Sequence, residues 1–209
     1  MFKIINQLAQ KSVQSLFTCQ LCGEETQQSH SLCKHCWKEL PWHIKKIERH
    51  EQQIHVALNY SFPIDRIIHK YKYEQQLNYQ TLLAHTLLQF RFSKIQAIVP
   101  MPISTERLKQ RGYNQMLIIA NLMSRQLSIP VWQPVIRLAQ HSQKGLTRLE
   151  RLENIDDQFE IIRSERRKYQ NVLMIDDVVT TGSSVRALAH SLEKLACKNI
   201  QIACIAAAQ

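Results

Sequence analysis

VLMIDDVVTTGSS, Val172 to Ser184, is the stretch whose reading decides the fold of this chain. Four apolar residues lead into two adjacent carboxylates, and four of the last five residues are hydroxyl side chains around Gly182. The apolar run reads as a buried strand ending at Ile175, with Asp176 and Asp177 at its carboxyl end and a tight loop feeding a helix. A helix N-terminus presents unpaired N–H donors and positive dipole character, which suits a phosphate, and Gly182 lets the backbone approach closely. The carboxylates would repel that phosphate if they faced it, but they can accept hydrogen bonds from neutral sugar hydroxyls nearby. A ribose 5-phosphate has this polarity. An ordinary strand–loop–helix junction capped by Ser or Thr accounts for one hydroxyl and leaves the acidic pair unexplained.

Around this stretch the pattern alternates. HVALNYSF reads as a strand, DRIIHKYKYEQQLNYQTLLAHTLLQFRF as helical, IQAIVP as a strand, and NQMLIIANLMSRQL as a helix halted before Ile129-Pro130. VWQPVIRL reads as a short strand, with Pro134 marking an edge or irregularity; a polar loop and a short helix follow it. Beyond NVLMID, a helix from Gly182 or Ser183 to about Ala196 and the strand IQIACIAA close the chain. The expectation is an α/β fold, a mostly parallel central sheet flanked by helices, with ligands bound beyond the carboxyl ends of the strands. A second loop meets that edge in VPMPISTERLKQRGYNQ, where Arg107, Lys109 and Arg111 precede a helix and suit a pyrophosphate. A solvated basic loop is the rival reading.

Four of the six cysteines form Cys19-x-x-Cys22 and Cys33-x-x-Cys36. Each pair turns two thiolates toward one point, Gly23 permits the tight turn of a knuckle, and the short spacer brings the pairs together as a closed tetrahedron. The expectation is structural Zn²⁺. His30 and His35 as substitute ligands, an iron centre and vestigial thiols stay open. Cys197 and Cys204 lie in apolar context and read as buried thiols.

WKELPWHIKKIERHEQQ is basic and polar and separates the cysteine segment, residues 1–50, from a larger domain over 51–209. In the opening residues Phe2, Ile5, Leu8 or Ala9, Val13 and Leu16 recur at helical spacing, an apolar side that docks on the body or on a partner. No apolar run approaches the roughly 18 residues of a membrane span and no secretory signal is visible, so a cytoplasmic protein is expected. With 27 Lys and Arg against 17 Asp and Glu, the formal charge of +10 favours an anionic partner without choosing among phosphate, nucleotide and nucleic acid.

The strand, acidic pair and Thr-Thr-Gly loop closely resemble the binding motif of the type I phosphoribosyltransferases. That resemblance implies that Asp176 and Asp177, the catalytic pair, address the ribose hydroxyls of phosphoribosyl pyrophosphate (PRPP). Val178, Val179, Thr180, Thr181, Gly182 and Ser183 complete the PRPP site and the loop holds the 5-phosphate. Arg111-Gly112-Tyr113-Asn114-Gln115 after a Val-Pro-x-Pro turn resembles a hallmark of the ComF family of competence proteins. HSQKGLTRLERLENIDDQF extends the likeness through Gln143, Leu146, Arg151, Asn154 and Phe159, as do HKYKYEQ around Lys70 and Tyr71 and the four-cysteine module. Ser183-Ser184 stands where Ala-Thr is more usual in the family. The resemblance implies a type I phosphoribosyltransferase-like core with an amino-terminal zinc module and a role in natural transformation. That role is a cytoplasmic one, assisting uptake of single-stranded DNA and binding both PRPP and that DNA, with DNA-uptake or recombination proteins as partners. Trp37, Trp42, Phe92 and Tyr169 sit among basic residues and offer stacking surfaces for bases. The alternative is a working phosphoribosyltransferase of nucleotide or base salvage that uses PRPP and Mg²⁺, although no base-recognition element is visible.

Overall fold

The computed structural model describes residues 17–138, 158–163 and 165–208. The amino-terminal amphipathic stretch therefore lies outside the described residues, as do Gln143, Leu146, Arg151 and Asn154. Five strands form the main sheet: β1 (Trp42–Arg49), β2 (Gln52–Asn59), β3 (Ala97–Pro100), β6 (Asn171–Val179) and β7 (Asn199–Ala207). Their spatial order is β1-β2-β7-β6-β3. β2, β7, β6 and β3 run parallel and β1 is antiparallel at the edge. A separate antiparallel pair joins β4 (Val135–Arg137) to β5 (Phe159–Ile161).

The parallel strands are apolar because helices cover both faces; Val172, Leu173, Met174 and Ile175 are all fully buried. The helices are α1 (Lys34–Lys38), α2 (Ile64–Tyr73), α3 (Gln80–Leu87), α4 (Thr105–Arg111), α5 (Gln115–Leu127) and α6 (Ser183–Lys194). α2 buries Ile64, Ile67, Ile68 and Tyr71, one helical stripe at offsets of three and four. α3 packs on β2, β7 and α5, and α5 on β3 and β6.

Two expectations change. The strand carrying the acidic pair does not stop at Ile175: it continues through both aspartates to Val179, which pairs with Ala207 of β7. The basic residues after the Val-Pro-x-Pro turn lie not in a loop but within α4, which starts at the Ser104 cap and stops at Gly112 in the left-handed conformation (φ +80°). A third difference concerns the polar stretch after the cysteines. Its middle, Trp42–Arg49, is β1, an edge strand whose Ile44, Lys45 and Lys46 side chains are exposed while its backbone pairs with β2. The hairpin turns at His50 and Glu51, so β1 ties the cysteine segment to the sheet.

The cysteine segment itself packs on the common core through Leu32 and Leu40. His30 stacks on Trp37 with ring centroids 3.9 Å apart, and Trp42 meets Trp37 edge-on and donates from Nε1 to the Trp37 carbonyl at 2.8 Å. Cys197 and Cys204 are buried, as their context predicts.

Candidate ligand site and cysteine centre

The carboxyl end of β6 builds the first site. In a strand, successive side chains point to opposite faces, so extending β6 through the acidic pair separates the two carboxylates. Asp177 turns inward and is only 6% exposed. Its Oδ1 forms an ion pair with Lys72 Nζ at 2.7 Å and accepts the Val178 N–H at 2.7 Å, while Oδ2 accepts from Gln115 Nε2 at 3.0 Å. Asp176 turns the other way and lines a concavity of about 60 Å³ with Thr180, Thr181, Gly182, Ser183 and Ser184. Burial and the neighbouring Asp177 push the Asp176 carboxyl up to about 7, against the pull of Lys72 and Arg137.

The concavity lies at the mouth of α6. Gly182 occupies the helix N-cap position with φ +87° and has no side chain to cap the helix. Thr181 Oγ1 accepts the Ser183 N–H at 3.3 Å and donates to Ser183 Oγ at 3.2 Å, which holds the hydroxyls around the opening. Glycine is required twice over at position 182. Its φ is left-handed, and an added Cβ would stand 2.6 Å from the Arg49 Cβ. Arg49 Nε also donates to the Thr180 carbonyl at 3.4 Å, so the β1–β2 hairpin packs against this loop.

Arg111 to Gln115 ties α4 and α5 to the acids. Arg111 lies over the Tyr73 ring at 4.8 Å and donates from Nη1 to Gln115 Oε1 at 2.9 Å; Gln115 in turn donates to Asp177. Gly112 ends α4, the Tyr113 hydroxyl donates to the Tyr71 carbonyl, and the Asn114 carboxamide oxygen accepts the Met116 and Leu117 N–H groups to start α5. Each residue of the motif therefore serves the local structure.

The structure brings some sequence-predicted residues together and not others. Arg107 and Arg111 lie one turn apart on the same side of α4, whereas Lys109, two residues from each, projects from the other side. Lys72, not Lys70, reaches the acidic pair. Sequence reasoning missed Lys72, gave Gln115 no chemical role and passed over Arg137; a lone cation ending the apolar strand PVIR was the available signal. The aromatic residues expected to stack on bases are half-buried, and each meets another ring. Trp37 packs between His30 and Trp42, Phe92 packs with His55 and Phe90, and Tyr169 meets Trp132 edge-on.

At the other site the four sulfurs of Cys19, Cys22, Cys33 and Cys36 lie within 4.8 Å of one another, a group that could hold a metal ion. Leu21 N–H donates to Cys19 Sγ at 3.4 Å and Cys36 N–H to Cys33 Sγ at 3.3 Å. Such bonds orient sulfur ligands and stabilise negative charge on them, so the donor set fits a soft cation.

Comparison with known proteins agrees with this architecture. Residues 117–209 match the phosphoribosyl transferase domain family. Competence protein F of Haemophilus influenzae is 31% identical over 204 residues, covering 92% of this chain and 86% of that protein. The chain belongs to the ComF family of competence proteins. DNA utilization protein YhgH of Escherichia coli K12 is 27% identical over 199 residues, covering 90% of this chain and 82% of its own. Competence protein ComFC of Bacillus subtilis is 25% identical over 182 residues, with 83% and 70% covered. The ComF chain thus has a type I phosphoribosyltransferase-like core with a four-cysteine cluster before it. Among the described residues no helix is long and apolar enough to cross a membrane.

Proposed function

We propose that this ComF protein binds PRPP at the carboxyl end of β6 and acts in the cytoplasm, assisting uptake of single-stranded DNA during natural transformation. The observation that carries the ligand reading is the uncapped mouth of α6, with hydroxyls on its rim and Asp176 on its wall. Its dimensions and donors favour one tetrahedral anion, and the adjacent carboxylate is an acceptor for the ribose hydroxyls. Asp177 plays a different part. With Lys72 and Gln115 it fixes the floor of the site, and through Gln115 it orients Arg111. Arg111 and Arg107 are the arms for the pyrophosphate end. Mg²⁺ bound with PRPP supplies charge neutralisation at that end.

The four cysteines hold Zn²⁺ in a structural role, since four thiolates complete its coordination. The names of the relatives and the formal charge of +10 favour DNA as the anionic partner.

Calorimetric titration of the zinc-loaded protein with PRPP and Mg²⁺ tests the ligand reading. Binding with one site per chain is expected, at least tenfold weaker in Asp176→Asn; a flat titration of the wild type would remove the reading. A parallel assay of pyrophosphate release over a panel of nucleobases separates binding from transfer. Turnover with one base would make the protein a working phosphoribosyltransferase.

A further inference from the structure

Arg137 ends β4 and is half-buried. Its Nη2 donates to Ser184 Oγ at 3.0 Å and to Gln158 Oε1 at 3.3 Å, and the guanidinium lies over the Phe159 ring at 5.5 Å. All three partners are neutral. No carboxylate forms an ion pair with Arg137 among the described residues. Burial and the nearby charge of Arg107 both oppose its protonation and lower its pKa, with Asp176 and Asp177 acting against them. A guanidinium remains charged in such a setting and is stabilised by an anion that neutralises it.

Its position says which anion. Ser184 is the second residue of α6 and lines the small concavity at the mouth of that helix. Arg137 also lines a neighbouring cavity of about 500 Å³, together with Leu108, Asn114 and Val135. From the wall of the larger hollow its Nη2 reaches Ser184, on the wall of the smaller one.

We propose that Arg137 is a phosphate-binding residue of this site, reaching across the first turn of α6 to the 5-phosphate of the bound sugar phosphate. The assignment rests on the reading of the α6 mouth given above. Helix N–H groups and loop hydroxyls are neutral donors, and Arg49 Nε is turned to the Thr180 carbonyl; Arg137 adds a full positive charge at the Ser184 side of the loop. The competing role is a staple, in which Arg137 merely fastens the β4–β5 pair to α6 through Ser184 and Gln158. A glutamine can keep those neutral hydrogen bonds but carries no charge.

Ribose 5-phosphate and inorganic pyrophosphate, titrated separately into the zinc-loaded protein, distinguish the two. Arg137→Gln is expected to weaken ribose 5-phosphate by about ten- to a hundredfold, the size of a lost charge-assisted bond, and to leave pyrophosphate within about twofold. Arg137→Lys keeps the charge and is expected to fall between wild type and Arg137→Gln. Wild-type affinity for ribose 5-phosphate in Arg137→Gln overturns the proposal and leaves the ligand reading standing. Absence of ribose 5-phosphate and PRPP binding in the wild type overturns both. If Arg137→Gln does not fold, Arg137→Lys decides alone: a measurable loss for ribose 5-phosphate with pyrophosphate held within about twofold supports the assignment, and unchanged ribose 5-phosphate affinity, or an equal loss for both ligands, overturns it.

Discussion

Asp176 and Asp177 are neighbours in sequence with opposite surroundings, so they predict different phenotypes. Asp177→Ala leaves Lys72, whose side chain is 17% exposed, without its counter-charge and is expected to cost roughly 3 kcal/mol of stability. Asp176→Asn removes a charge that burial already disfavours and is expected to leave the melting temperature unchanged or higher, while PRPP binding falls. Chemical denaturation of the two variants side by side checks this; equal destabilisation would contradict it. The raised Asp176 pKa also sets a pH dependence. A sugar hydroxyl donates to the ionised carboxylate, so affinity should increase as pH rises through about 7, by up to about tenfold per unit below that point. Stability moves the other way: the protonated form contributes most below the ordinary carboxylate range, and that contribution is lost as pH rises through about 7. Titrations from pH 6 to 8, with Asp176→Asn as the reference for ionisation of the phosphate itself, read the effect. The same slope in both proteins would assign it to the ligand.

Among the elements, β6 and α6 were legible because an apolar run, an acidic pair and a glycine turn each demand a distinct backbone. What the residues did not reveal was the end of β6. Pairing with β7 carries the strand past Ile175, a long-range hydrogen-bonding effect that local polarity cannot foretell, and it is this extension that divides the acids. α4 was missed for a similar reason: STERLKQRG is short and polar, and only its Ser104 cap and Gly112 stop mark it as helical. Lys72 was obscured because its role appears only when α2 lies across the end of β6. The cysteine element was transparent, since C-x-x-C spacing imposes its own geometry. Removal of zinc by a chelator is expected to release the Cys19–Cys36 segment and with it the His30–Trp37–Trp42 stack. Tryptophan fluorescence should shift to the red while the far-ultraviolet signal of the sheet and helices largely persists. An unchanged emission spectrum after complete metal removal would contradict this.

For the whole molecule, the charge predicts how the proposed nucleic-acid partner would be held. For the proposed DNA binding the formal charge of +10 makes phosphate contacts the main expected contribution, while Trp37, Trp42, Phe92 and Tyr169, each half-buried and already against another ring, offer a base only part of their surface. Single-stranded oligonucleotide affinity should therefore fall steeply with salt, with a logarithmic slope of roughly −3 for about four neutralised phosphates. Fluorescence anisotropy between low and physiological salt measures it, and affinity insensitive to salt would refute it. The edge strand β1 has a further consequence. Among the described residues one side of its backbone has no neighbouring strand, yet Lys45 and Lys46 stand exposed along it beside Ile44. Adjacent ammonium groups repel a second copy approaching edge to edge, so the lysines act as gatekeepers of colloidal behaviour. Replacing both with threonine should turn a guarded rim into a template for intermolecular strand addition, visible as growing light scattering on mild warming.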